Sequence, residues 1–177
     1  MTAEIKTVGV IGAGQMGNGI AHVCALAGIE VRITDTDPAA LAAAREAIGR
    51  NLDRQVGRGH VTAEAREAAL GRIATTPDLA ELGPLDLVIE AATERETVKT
   101  AIFESLVPHL APHTILATNT SSISITRLAS RTDRPERFLG VHFMNPVPVM
   151  QLVELIRGIA TDEATFEAAR EVVARLG

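Results

Sequence analysis

Toward its C-terminal end the chain reads GVHFMNPVPVMQLVEL, Gly140 to Leu155. Two ionisable groups, His142 and Glu154, stand there among apolar residues, separated by a stiff Asn145-Pro146-Val147-Pro148 turn. A histidine acting as a base gains from a carboxylate that orients its ring and stabilises its charged form. A carboxylate between Leu152, Val153, Leu155 and Ile156 needs a partner once buried, or it neutralises. The turn is suited to bring two strands together, which makes His142 and Glu154 a candidate proton-handling pair. The plainer reading is a structural histidine, with Glu154 facing solvent from an edge strand.

A second constellation lies near the start. GVIGAGQMGNGI places Gly12, Gly14 and Gly17 in G-x-G-x-x-G spacing, after an apolar strand and at the opening of a helix. That context turns a common pattern into a dinucleotide-binding signal. Gly12 permits a tight turn, Gly14 lets a pyrophosphate approach the backbone, and Gly17 allows close helix–strand packing. The helix start adds free N–H groups and a partial positive charge. The next strand, EVRIT, runs into Asp35, which suits the hydroxyls of an adenosine ribose. It would repel a 2′-phosphate by about 4 kcal/mol per charge at about 4 Å and an effective dielectric of about 20. The expected cofactor is NAD rather than NADP.

These groups need a scaffold that gathers them. Strands are expected near 5–11, 30–34, 72–75, 85–90, 114–117 and 137–141, with another near 150–156. Helices are expected near 15–28, 38–56, 62–71, 95–107, 123–130 and 162–176. VGVIG, LDLVIE and TILAT are nearly continuous apolar runs, as when helices cover both faces of a parallel sheet. The alternation predicts an α/β fold, a doubly wound, mostly parallel sheet of Rossmann type, with 1–177 forming one domain.

In such a sheet, ligands bind at the carboxyl ends of the strands. That edge collects the glycine loop, Asp35, the segment Glu90-Ala91-Ala92-Thr93-Glu94, the segment Asn119-Thr120-Ser121-Ser122, and His142. His109 and His113 precede a strand and fall at the opposite edge. Pro112 spoils the helix that would align them on a metal, so no metal site is expected. His22 reads as a packing or surface residue and His60 as part of a Gly-rich loop.

Composition narrows the classes further. The net charge of −5 argues against nucleic acid, and no apolar run approaches the roughly 18 residues of a membrane span. MTAEIKTVGV lacks the regions of a signal peptide, and the single Cys24 makes no internal disulfide; a reducing, cytoplasmic setting fits both. Tyrosine is absent, which excludes a Tyr/Lys catalytic pair. Of the two lysines, Lys6 precedes the first strand, leaving Lys99 as the single candidate for chemistry.

GAGQMGNGIA, EAATERETVK, NTSSISI and above all HFMNPVPVMQLVE resemble the N-terminal domain of the 3-hydroxyacyl-CoA dehydrogenases, in their bacterial 3-hydroxybutyryl-CoA form. The resemblance covers essentially the whole chain. It implies fatty-acid β-oxidation chemistry, with His142 as base, Glu154 as its partner, Ser121 on the substrate and Asn145 beside the site. Around NAD it implies Gln15 and Met16 with the three glycines, and Asp35, Ala91, Glu94, Lys99 and Asn119. The partner it implies is an acyl-CoA. Arg50, Arg54 and Arg58 recur every four residues, so they could line one helix face for CoA phosphates, or form a solvated face balanced by Glu46 and Asp53. Gly57 could also end the helix before Arg58. The family carries lysine where Arg58 aligns and serine where Asn51 aligns; Asn51, Arg54 and Arg58 are the resulting substrate-side candidates. Family members continue into a helical domain that dimerises, which this chain lacks, so a homo-oligomer is expected through that absent domain. An apolar surface left uncovered is expected to associate. Two rivals stand beside this reading: a gulonate-type hydroxyacid dehydrogenase, and a non-catalytic NAD-binding module.

Overall fold

The computed structural model describes residues 4–177; residues 1–3, the start of the stretch read for a signal peptide, lie outside the described residues. Seven strands form one sheet: β1 (Thr7–Ile11), β2 (Glu30–Thr34), β3 (Ile73–Thr76), β4 (Leu87–Glu90), β5 (Ile115–Thr118), β6 (Phe138–Phe143) and β7 (Val153–Arg157). Their spatial order is β3-β2-β1-β4-β5-β6-β7. The first six are parallel, in the doubly wound order that reverses between β1 and β4; β7 is antiparallel to β6.

Six α-helices accompany them: α1 (Gln15–Leu26), α2 (Pro38–Gly57), α3 (Ala63–Gly71), α4 (Glu96–Leu106), α5 (Ile125–Ala129) and α6 (Glu163–Leu176). Their starts follow local chemistry. Asp37, Thr62, Ser124 and Asp162 each accept a backbone N–H in the first turn of the helix they precede. Gly14 precedes α1 and offers no side-chain cap, so the first N–H groups of α1 stay free of helix partners.

The helices split between the two faces. One face packs β-strand residues such as Val10, Ile33 and Val141 against α1, α2 and α6 through Ile20, Ile48 and Val172. The other packs Ile11, Val88, Leu116 and Phe138 against Phe103 and Leu106 of α4 and Leu128 of α5. Phe103 and Phe138 meet edge to face with centroids 5.1 Å apart. Strands covered on both faces explain why β1, β4 and β5 read as unbroken apolar runs.

Two details differ from the sequence reading. β6 extends to Phe143, so His142 is a strand residue rather than the start of the following loop. The second is the start of β1, which lies at Thr7 rather than near residue 5; α2 ends at Gly57, before Arg58, as the glycine suggested.

Candidate active site at the carboxyl edge of the sheet

The glycine loop is shaped by close contact. Gly12 has φ +102°, and a Cβ there would lie 2.7 Å from Ala92 Cα and 2.8 Å from the Ala91 carbonyl oxygen. A Cβ on Gly17 would sit 1.7 Å from the Gly12 carbonyl oxygen. Gly14 is the opposite case: a Cβ would meet nothing within 4 Å. Two glycines thus close the turn, and the third leaves open the backbone where a pyrophosphate would approach an uncapped helix start. Gln15 is exposed and Met16 half-buried at that start. The residues present fit a dinucleotide.

Asp35 follows β2 and does more than the sequence suggested. One carboxylate oxygen accepts the Ala13 N–H at 2.9 Å and the other the Asp37 N–H at 3.0 Å. With the Gly12 N–H donating to the Thr34 carbonyl at 2.9 Å, it ties the glycine loop to the end of β2. Each oxygen keeps a further lone pair, so the half-buried carboxylate still has acceptor capacity for a ribose.

The ends of β4 and β5 carry a buried polar cluster. Glu90 and Lys99 both have fully buried side chains and form an ion pair. Lys99 Nζ also donates to Thr118 Oγ1 and to the Asn119 carbonyl, each at 3.1 Å. Glu90 accepts from Thr118 Oγ1 at 2.7 Å and from the Ala92 N–H at 2.8 Å. Lys99, expected around NAD, is fully buried in this structure. Sequence reasoning also missed Glu90 as its partner. A signal was available, since Lys99, Phe103 and Leu106 fall on one face of α4 and are the three residues of that helix that are buried.

Asn119 reaches the neighbouring strand. Its Oδ1 accepts the Phe143 N–H at 2.8 Å, directly after His142. Ser121 is exposed two residues further along this loop. Glu94 is exposed and accepts from Thr120 Oγ1 at 3.0 Å and Ser122 Oγ at 3.3 Å, bracing the same loop; Ala91 is half-buried against the glycine turn.

His142 and Glu154 are register partners across the antiparallel β6–β7 pair. His142 Nδ1 and Glu154 Oε1 are 3.3 Å apart. Glu154 is not buried, contrary to its apolar neighbours in sequence: its side chain is 52% exposed, against 21% for His142. The edge position of β7 explains this, because one side of that strand has no neighbour. With Nδ1–H donating to the carboxylate, Nε2 keeps its lone pair, and it has no protein partner among the described residues. The connecting turn, with exposed Asn145 and a cis Asn145–Pro146 bond, is anchored on α1: a Cβ on Gly19 would lie 2.8 Å from Val147 Cβ.

Beside the turn is a cleft of ≈ 560 Å³ lined by Asn51, Arg54, Gln55, Arg58 and His60, and by Pro146, Pro148, Val149 and Gln151 of the turn. It brings together the three substrate-side candidates from α2. Arg50 is not among its lining residues and pairs with Glu46 at 3.5 Å, so the arginine repeat divides between cleft and solvent. Val149, Met150 and Leu152 are exposed on or beside this turn. Gln55, which the sequence did not single out, shares a helix face with Leu52 and Ile48, and its Oε1 accepts from His22 Nε2 at 2.9 Å. His22 is fully buried, and burial lowers its pKa against the raising effect of Gln55. Burial likewise pushes the Cys24 thiol up to about 12, which leaves it unreactive. His113 meets Asp86 at 3.4 Å at the opposite edge, away from this site.

Residues 7–177 match the profile of the family described as 3-hydroxyacyl-CoA dehydrogenase, NAD binding domain. Over all 177 residues the chain is 60% identical to a 3-hydroxybutyryl-CoA dehydrogenase of Bradyrhizobium diazoefficiens, covering 60% of that protein. It is 48% identical over 172 residues to the enzyme of that name from Mycobacterium tuberculosis, again covering 60% of it. The solved (S)-3-hydroxybutyryl-CoA dehydrogenase of Ralstonia eutropha superposes with a TM-score of 0.96 at 44% identity, over 98% of this chain and 62% of that one. The chain therefore spans about 60% of the length of the curated relatives it matches. On the family match, the NAD-type glycine turn and the doubly wound sheet, the chain belongs to the 3-hydroxyacyl-CoA dehydrogenase family, as its NAD-binding domain.

Proposed function

We propose that this chain serves NAD-dependent interconversion of an L-3-hydroxyacyl-CoA and its 3-ketoacyl-CoA, with 3-hydroxybutyryl-CoA and acetoacetyl-CoA as the substrate pair. The observation that carries the reading is the His142–Glu154 pair at the carboxyl edge, with one ring nitrogen held and the other open. Bound NAD supplies the hydride acceptor for oxidation, and its reduced form the donor for the reverse reaction. His142 Nε2 takes the proton of the 3-hydroxyl as C3 is oxidised, and returns it on reduction. Glu154 keeps the ring in the tautomer that has a free Nε2 and stabilises the imidazolium once the proton has moved. Ser121 hydrogen-bonds the substrate oxygen, and Asn145 flanks it.

Cofactor binding falls to Gly12, Gly14 and Gly17 with Gln15 and Met16, to Asp35 at the ribose, and to Ala91, Glu94 and Asn119 along the neighbouring strand ends. Arg54 and Arg58, with Asn51, offer charge and hydrogen bonds to the phosphates of CoA in the cleft beside the turn. That charge favours an acyl-CoA over a free hydroxyacid. In this reading residues 1–177 act as one NAD-binding unit in the cytoplasm. Homo-oligomers form through a helical domain of the kind family members carry.

NADH absorbance followed with acetoacetyl-CoA tests the proposal. Oxidation that depends on acetoacetyl-CoA and is absent with gulonate-type acids is the expected result. NADH binding without turnover, unrelieved when a C-terminal helical domain is supplied, would sink the catalytic reading and leave a binding module.

A further inference from the structure

The helix side of the cleft beside the turn presents hydrogen-bond donors, because its side-chain acceptors are engaged elsewhere. Asn51, Gln55 and Arg58 follow one another at i, i+4 and i+7, so they share a face of α2 and its cap. Asn51 Oδ1 accepts from Arg54 Nη2, which turns the Asn51 amide outward by its N–H groups. Gln55 is held in the same sense from behind. Its Oε1 accepts from Nε2 of His22, a fully buried residue of α1, at 2.9 Å. Its amide nitrogen has no protein acceptor among the described residues. Its main chain is fixed as well, since its carbonyl accepts the His60 N–H at 2.9 Å. The tautomer of His22 follows from its surroundings. Nδ1 is buried without a partner, and a bare lone pair there costs less than a stranded N–H, so the proton sits on Nε2 and faces Gln55.

A wall of donors suits a ligand that offers acceptors. Among the described residues no carboxylate lines the cleft, and Arg54 and Arg58 add permanent positive charge. A phosphate matches both features, with an acceptor at every oxygen and negative charge. We propose that Gln55, locked as a donor by His22, binds the nucleotide phosphates of an acyl-CoA alongside Arg54 and Arg58, and that His22 is the positioning residue that sets the amide. For the identity of the ligand this rests on the acyl-CoA reading of the cleft. Without His22 the amide is free to turn its oxygen toward the ligand, where it repels phosphate. A buried polar residue outside both the glycine loop and the His142–Glu154 pair thereby acts on substrate binding through one hydrogen bond.

Calorimetric titration with CoA and with adenosine 3′,5′-bisphosphate, the nucleotide end of CoA, tests this, with acetoacetyl-CoA turnover measured alongside. Gln55→Leu keeps bulk on the helix and removes the amide. It is expected to weaken CoA and the bisphosphate alike by about tenfold, the scale of a hydrogen bond to a charged group. KM for acetoacetyl-CoA rises with it and kcat does not change. His22→Phe is expected to weaken both ligands by about threefold, the ordering cost of one long side chain. His22→Gln, which keeps an N–H for Gln55, retains the parent affinity. The double variant Gln55→Leu/His22→Phe binds no more weakly than Gln55→Leu, because His22 acts only through the amide. Should His22→Phe not fold, His22→Met takes its place in the cycle. Unchanged bisphosphate affinity in Gln55→Leu would overturn the phosphate contact. Parent-like affinity without the His22 N–H, or losses that simply add in the double variant, would overturn the positioning role. A parent chain that binds CoA but turns nothing over counts against the dehydrogenase reading and leaves the Gln55 comparison to be decided by affinity. A parent chain that does not bind the bisphosphate overturns this contact, and one that binds neither it nor CoA overturns the acyl-CoA reading as well.

Discussion

Two pairs of a carboxylate and a basic side chain stand at the same edge of the sheet, one at the end of β4 and one on β6 and β7. Glu90 and Lys99 are sealed from solvent, and each polar atom is matched by a protein partner. His142 and Glu154 lie open, with one ring nitrogen unclaimed among the described residues. Burying ions costs several kcal/mol per group, which only complete hydrogen bonding offsets. A pair that has met that cost has no valence left for chemistry. A half-exposed pair gains little stability, by the weak energetics of surface ion pairs, but can accept a proton and return it. Position at this edge alone therefore does not mark a residue for chemistry; the unclaimed ring nitrogen is what supports the proposal for His142.

The contrast breaks first at His142. His142→Ala removes the open nitrogen and is expected to lower turnover by about 10²–10⁴-fold, the usual worth of positioned acid–base catalysis. NADH affinity and thermal stability are expected to hold. Turnover and NADH titration of the same preparation check both halves, and unchanged turnover would remove His142 from the chemistry. Lys99→Met should do the reverse. It leaves Glu90 buried and unpaired, at a cost of about 3–5 kcal/mol of stability measured by denaturant unfolding. Much of that loss should return in the double variant with Glu90→Gln. A single variant as stable as the parent would mean that the pair is not sealed in solution.

Glu154→Gln sharpens the comparison at smaller scale. The amide can still accept from Nδ1–H, but it no longer stabilises the imidazolium. A hydrogen bond to a charged group is worth about 1.5–3 kcal/mol, and solvent screening puts this half-exposed one at the low end, so a kcat loss of about tenfold is expected. Stability should not change, and a parallel fall in melting temperature would show that the pair is structural after all.

How much of this was legible in the sequence follows the same division. The glycine turn, Asp35 and the strand ends were readable, because parallel strands buried on both faces give long apolar runs and put their carboxyl ends on one edge. The approach of His142 to Glu154 was not, since nine residues from Met144 to Leu152 separate β6 from β7 and many registers fit such a connection. The exposure of Glu154 was one of two open readings, because apolar neighbours in sequence do not decide which side of an edge strand a residue faces. Lys99 looked like a candidate for chemistry on residue type alone. Its helix-face spacing with Phe103 and Leu106 pointed inward, and the structure buries all three.

The smallest effect concerns a second buried–open contrast, between His22 and His142. His22 is fully buried and burial lowers its pKa, despite the Gln55 hydrogen bond; its Nδ1 has no hydrogen-bond partner. The sign follows from linkage. Below the ordinary histidine value of 6.5 the unfolded chain binds a proton at His22 that the folded chain refuses. Stability therefore falls as pH drops below that value, by at most about 1.4 kcal/mol per pH unit for one proton, until the folded-state pKa is passed. Asp86 acts in a lower window. Burial raises its pKa, but hydrogen bonds from the Lys6 and Thr7 backbone and the Thr7 hydroxyl, with His113, outweigh that and hold it below 3.8. Its stabilising share is present above that value and is lost as pH falls through the lowered pKa. Unfolding free energies measured between pH 7 and pH 3 should show both losses in the parent chain. His22→Phe, which keeps a ring in the pocket, should flatten the upper one and leave the lower. If the upper slope survives the substitution, it belongs to another group, and the buried histidine is not the reservoir of acid sensitivity that its missing partner implies.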